Sequence, residues 1–150
     1  MNLPLAYIDT SALLKRFVEE AHSLEMEAFL MTGSHRCVLS SLSLTEMKSV
    51  FRRRQRDPNL TQQISPQASQ QATSQVLLEL AQGSWHFQTI SEAIFSFAAE
   101  LIDQVQTQLG TLDALHLACA KTARCSLMVS ADKQLLKASQ EAGLEILDLS

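Results

Sequence analysis

Leu5-Ala6-Tyr7-Ile8-Asp9-Thr10-Ser11-Ala12-Leu13-Leu14 is the stretch whose reading decides the fold. Four apolar residues read as a short buried strand, and a carboxylate stands where that strand runs out. Thr10 or Ser11 then caps a helix opening with Ala12, Leu13 and Leu14. A carboxylate at the carboxyl end of a parallel strand faces the crevice where open α/β sheets hold their ligands. A lone Asp in this position reads first as a helix cap. Three further carboxylates at comparable boundaries change that balance.

Outward from this stretch, strands and helices alternate. Residues 11–20 read as a helix with Leu13, Leu14, Phe17 and Val18 inward and Lys15, Arg16, Glu19 and Glu20 outward. A second helix over 22–32 is closed by Gly33, and Cys37-Val38-Leu39 is a strand ending in Ser40-Ser41. Ser43 or Thr45 opens a helix with Glu46 in its first turn, running into Arg52-Arg53-Arg54-Gln55-Arg56 and a turn at Asp57-Pro58-Asn59. The Gln-, Ser- and Thr-rich residues 59–75 read as a solvated linker until Pro66. From there Ala68, Ala72, Val76, Leu77 and Leu80 predict a helix over 66–82 stopped by Gly83. Trp85–Ile90 is a third strand, with Trp85 and Phe87 read as core. Ser91 and Glu92 start a helix through Val105 that Gly110 ends. Thr111 caps a helix over 112–123 carrying Asp113 in its first turn. Leu127-Met128-Val129 leads to Ser130-Ala131-Asp132, a helix spans 133–142, and Leu144–Leu147 is the last strand. The alternation predicts an α/β fold around a parallel sheet in one domain, residues 1–150.

The 150 residues suffice to bury a core, and 46% apolar with 19% charged is ordinary for a globular chain. The net charge of −4 means that any contact with a polyanion must come from a local basic patch. No run reaches the roughly 20 apolar residues of a membrane span, and Asp9 interrupts the only leader-like stretch. Three scattered cysteines favour a reducing, cytoplasmic setting. His116, Cys119 and Cys125 lack a complete zinc spacing and read as core.

The chemistry rests on Asp9, Glu46, Asp113 and Asp132. First-turn acids are favoured by the helix dipole at about 0.3–1 kcal/mol, which accounts for Glu46 or Asp113 taken singly. Gathered at one end of the sheet, they imply something else. Two bare carboxylates about 4 Å apart repel by roughly 4 kcal/mol at an effective dielectric near 20. Such a cluster takes up protons or a cation. All-oxygen ligands select a hard divalent ion, Mg²⁺ or Mn²⁺ in its place. Such a site suits phosphodiester hydrolysis.

Tyr-Ile-Asp-Thr-Ser-Ala-Leu-Leu-Lys-Arg-Phe at 7–17 resembles the opening of PIN-domain ribonucleases, above all the VapC-like toxins of bacterial toxin–antitoxin pairs. Ser-Ser-Leu-Ser-Leu-Thr-Glu at 40–46, Leu-Asp-Ala-Leu-His-Leu-Ala at 112–118 and Ser-Ala-Asp-Lys-Gln-Leu-Leu at 130–136 are similar to that family's second, third and fourth motifs, in order. The resemblance implies a three-layer α/β/α fold with about five short parallel strands. It implies a metal-dependent endoribonuclease, a homodimer held inactive by an antitoxin. By position it makes Asp9, Glu46, Asp113 and Asp132 the metal-binding and catalytic acids, supported by Thr10, Ser11 and Ser130. Gln134 stands where many relatives carry a further acid, which removes a donor for a second metal.

On the substrate side, six of the twelve Lys and Arg residues lie between Arg36 and Arg56. Lys15, Arg16, Arg53 and Arg56 are the candidates for contact with the RNA backbone, against the alternative of solvated helix-end cations. His116 among apolar neighbours reads as a packed core residue rather than a general base. Two rival functions remain at this stage. One is a PIN-like module that binds RNA or protein without cutting. The other is a phosphatase-type hydrolase with Asp9 as nucleophile, disfavoured because Ser11 stands where a second Asp is needed.

Overall fold

The computed structural model describes residues 2–57, 59 and 64–150. Five parallel strands form the middle layer: β1 (Leu5–Ile8), β2 (Arg36–Ser40), β3 (His86–Gln88), β4 (Leu127–Ser130) and β5 (Glu145–Asp148), in the order β3-β2-β1-β4-β5. β1 is central, pairing Tyr7 with Val38 on one side and with Met128 on the other. The chain builds outward from β1 through β2 to β3, then crosses back to start β4 on β1's other flank. The order therefore reverses between β1 and β4, where open α/β sheets form their ligand crevice.

The period-two alternation of β1 sends Tyr7 to one face and Ala6 and Ile8 to the other. Tyr7, Val38 and Met128 pack under α5 (Glu92–Gln104), α6 (Thr111–Thr122) and α7 (Lys133–Glu141). Ala6, Ile8, Leu39 and Val129 pack under α1 (Thr10–Leu13), α2 (Ser23–Thr32), α3 (Ser41–Arg56) and α4 (Pro66–Ala81). The result is the expected three-layer α/β/α arrangement.

Several boundaries differ from expectation for local reasons. The helix predicted over 11–20 stops at Leu13 and tightens into a 3-10 turn at Leu14–Arg16. There Lys15 folds inward and donates a hydrogen bond to the Ala21 carbonyl at 2.6 Å, so residues 17–21 close around its buried ammonium. α3 begins earlier than expected because Ser40 caps it and forms a capping box with Ser43. Glu46 consequently lies in the second turn, where the dipole argument has faded. α5 ends at Gln104, before Val105. β3 shrinks to three residues at the sheet edge, leaving Phe87 39% exposed, a correction to its reading as core. Trp85 is buried as expected, its indole N–H donating to Glu79 at 3.3 Å. α4 begins at Pro66 under a Ser65 cap, as the Pro signal predicts. The preceding linker and the turn at Asp57-Pro58-Asn59 lie partly outside the described residues. Cys119 and Cys125 are buried free thiols, and Cys37 is a half-buried one. Among the described residues no helix is long and apolar enough to cross a membrane.

Candidate active site

The carboxyl end of β1 delivers Asp9 directly into the crevice between β1 and β4. Its Oδ2 accepts protons from Ser11 Oγ at 2.6 Å and from Ser130 Oγ at 2.8 Å. The same two hydroxyl oxygens accept the amides of Ala131 and Asp132, each at 2.9 Å. Each hydroxyl has one proton and spends it on Asp9, so the 3.3 Å Ser11–Ser130 approach is a contact rather than a hydrogen bond. The three expected supporting residues therefore do different things. Ser11 and Ser130 clamp Asp9, and Thr10 donates to Glu46 Oε1 at 3.0 Å.

α6 supplies Asp113 and His116 one turn apart. Residues Ala114 to Ala120 are all buried, so His116 is 1% exposed, as its apolar setting predicts. It is nonetheless part of the site. Nε2 bonds Glu46 Oε1 and lies 3.5 Å from Asp9 Oδ1. Burial alone would push the imidazole pKa down. The Glu46 bond and the charges of Asp9, Glu46 and Asp113 outweigh it and hold the pKa above its ordinary value. On its other side Nδ1 shares a hydrogen bond with Tyr7 Oη at 2.6 Å, and Tyr7 Oη shares one with Ser40 Oγ at 2.8 Å. Burial of Glu46 favours its neutral form, but His116 and Thr10 override that and lower its pKa. The sequence signal for this role was the three-residue spacing of Asp113 and His116, read there as packing.

Asp132 caps α7, its Oδ1 accepting the amides of Gln134 at 2.9 Å and Leu135 at 3.2 Å. Asp113 is half-buried and has no such amides. Burial, followed by the negative charges of Asp132 and Asp9 and a hydrogen bond shared with Asp132, pushes its pKa up to about 6 against a modest pull from His116. Asp9, Glu46, Asp113 and Asp132 together line one cleft of about 290 Å³, with Glu20, Arg53 and Arg54 on its walls. A wider hollow, about 870 Å³, lies at the other end of the sheet, and its one carboxylate, Glu79, is already paired with Arg16.

The cations depart from expectation. Lys15 is 8% exposed and tied to Glu20 at 3.3 Å. Arg16 forks onto Glu79 at 2.9 and 2.8 Å and stacks 5.5 Å from the Trp85 ring. Both are committed internally. Arg53 is exposed at the cleft; Arg56 is exposed at the end of α3 and does not line it. Glu20 and Arg54, neither singled out in the sequence, do line it.

Among the described residues no three His, Cys, Asp or Glu side chains close into a metal-binding group. The donor set nevertheless fits a hard divalent ion. All four acids are oxygen donors, and the raised Asp113 marks negative charge that His116 offsets only in part.

A sequence model of the PIN domain matches residues 6–141. The chain belongs to the PIN-domain family. Its fold is shared with the VapC20 toxin of Mycobacterium tuberculosis, described as cleaving the sarcin–ricin loop, at TM-score 0.70 and 13% identity, covering 93% of this chain and 95% of that one. VapBC2 of Rickettsia felis, solved bound to a promoter DNA fragment, gives 0.63 and 14%, covering 97% and 99%. FitAcB of Neisseria gonorrhoeae gives 0.64 and 13%, covering 95% and 96%. No curated protein sequence matches. At these identities the PIN-domain likeness to solved structures speaks for the fold alone.

Proposed function

We propose that this PIN-domain protein is a Mg²⁺-dependent endoribonuclease, the toxin of a toxin–antitoxin pair. It would act in the cytoplasm as a homodimer and be silenced by a cognate antitoxin. The observation that carries the reading is the gathering of Asp9, Glu46, Asp113 and Asp132 around one cleft at the β1–β4 switch point, with Asp113 raised by its acidic neighbours. The RNA substrate and the antitoxin partner are carried over as part of this proposal from the toxin-type members of the PIN-domain family, VapC20 being described as a toxin that cleaves the sarcin–ricin loop.

Asp9, Asp113 and Asp132 would hold the ion, with Glu46 beside them. A bound Mg²⁺ supplies a more acidic attacking water and offsets charge growing on the phosphate. Ser11 and Ser130 keep Asp9 in one orientation, and Thr10 with His116 does the same for Glu46. In the metal-free cleft Asp113 carries a pKa raised to about 6, and a divalent ion bound there would favour its carboxylate form. Water attacks phosphorus and gives up its proton to solvent, and the P–O3′ bond breaks as the departing 3′-oxygen takes a proton from solvent, leaving a 3′-hydroxyl and a 5′-phosphate. Arg53, exposed at the cleft, contributes attraction for the RNA backbone.

The test is cleavage of total RNA with and without Mg²⁺, comparing wild type with Asp113→Ala. Metal-dependent cutting lost in the variant supports the proposal; chelator-resistant cutting refutes it. The rival reading is a PIN-like binding module that does not cut. Calorimetry decides between them, since a non-catalytic module shows no Mg²⁺ uptake and binds RNA equally with and without the ion.

A further inference from the structure

Arg54 follows Glu46 by about two turns of α3 and lines the same cleft as the four carboxylates. Its side chain is 17% exposed, and Nη2 donates to Glu20 Oε2 at 3.2 Å. Nη1 is buried with no hydrogen-bond partner, the sole buried side-chain nitrogen or oxygen of that kind among the described residues. An unpaired guanidinium N–H under the surface is costly, and a role toward a ligand is one physical reason for keeping it.

Glu20 does not depend on Arg54. Its other oxygen takes Lys15 Nζ at 3.3 Å, and Lys15 is locked in place by the Ala21 carbonyl at 2.6 Å. Arg54 can therefore leave Glu20 without stranding a carboxylate, whereas Lys15 is buried and held by two partners. A guanidinium presents N–H groups in a fork that matches two phosphate oxygens. In a cleft lined by acids, a mobile cation also offsets the repulsion an incoming phosphodiester meets.

We propose that Arg54 is the residue of this cleft that grips the RNA phosphate. It rests on Glu20 in the free protein and turns to the substrate when RNA enters. This deepens the nuclease reading and rests on it.

The experiment measures binding of a short, fluorescent single-stranded oligoribonucleotide in Mg²⁺, using a non-cutting Asp113→Asn parent, by anisotropy across a salt series. Adding Arg54→Ala is expected to weaken binding about tenfold, the effect of one charge-assisted contact. It should also flatten the slope of log affinity on log salt by about 0.7. Arg54→Lys, which keeps charge but not the fork, falls between. Glu20→Gln should tighten binding when Arg54 is present and change it less in the Arg54→Ala protein. Affinity within about twofold of the parent and an unchanged salt slope in Arg54→Ala overturn the proposal. An equal effect of Glu20→Gln in both backgrounds overturns the resting contact. If Arg54→Ala does not fold, parent-like affinity in both Arg54→Lys and Glu20→Gln overturns it instead. Wild-type cleavage of total RNA runs alongside. Absence of both cutting and binding refutes the nuclease reading and this proposal together, whereas intact cutting with an indifferent Arg54→Ala refutes this proposal alone.

Discussion

Replacing Asp113 by Asn should stabilise the metal-free protein while abolishing its cleavage of RNA. The folded state lifts this carboxyl from the ordinary 3.8 to about 6. The folded protein therefore binds that proton more tightly than the unfolded chain, and stability falls as pH rises between those values. The full penalty, present above pH 6, is about 3 kcal/mol at 1.36 kcal/mol per pH unit. Asp113 is only half-buried, so solvent screening reduces this to about 1–1.5 kcal/mol. Asn keeps the shape and removes the charge. For a domain of this size that corresponds to a melting temperature raised by about 3–5 °C in chelator at pH 7.5. At pH 5 the advantage should fall to roughly half, because the wild-type carboxyl is then mostly protonated in the fold. Adding Mg²⁺ should reverse the order, stabilising wild type and leaving the variant behind. Thermal melts at the two pH values, with and without the ion, check each step. An Asp113→Asn protein that melts at or below wild type at pH 7.5 in chelator would refute the claim of uncompensated charge.

Three further outcomes are expected. Asp132→Asn keeps the α7 cap and removes the charge that repels Asp113, so in chelator it should gain stability while losing cleavage, whereas Asp132→Ala should also lose the cap and fall about 1 kcal/mol below Asp132→Asn in a urea titration. Tyr7→Phe removes the hydroxyl between His116 and Ser40, so it should cost about 1 kcal/mol by the same titration and lower kcat more than it raises KM. Treatment with a chelator should stop cleavage, and Mg²⁺ or Mn²⁺ should restore it on an RNA gel.

Much of this molecule was legible in one dimension because the signals are local. Asp9 after four apolar residues, Pro66 after Ser65, and Gly33 after a helical run each act through the backbone of their own neighbourhood. Their readings needed no partner from elsewhere. The four motifs, in order along the chain, also carried the family and the identity of the acids. What distance along the chain could not reveal was how side chains spend their charges. Lys15 and Arg16 read as cations facing solvent, yet they are consumed by Glu20 and by Glu79, which lies 63 residues away from Arg16. His116 read as packing, and it is packed, but the sheet also brings it against Glu46, 70 residues distant, and beside Asp9. Glu20 and Arg54 carry no motif and enter the cleft only because α3 crosses the carboxyl end of the sheet beside the turn that follows α1. Sequence by itself determined which residues are acidic and which backbone segments present them. Only the tertiary structure decided which of those charges are already paired and which are left for a ligand, because pairing depends on distances of a few ångströms that the fold alone sets.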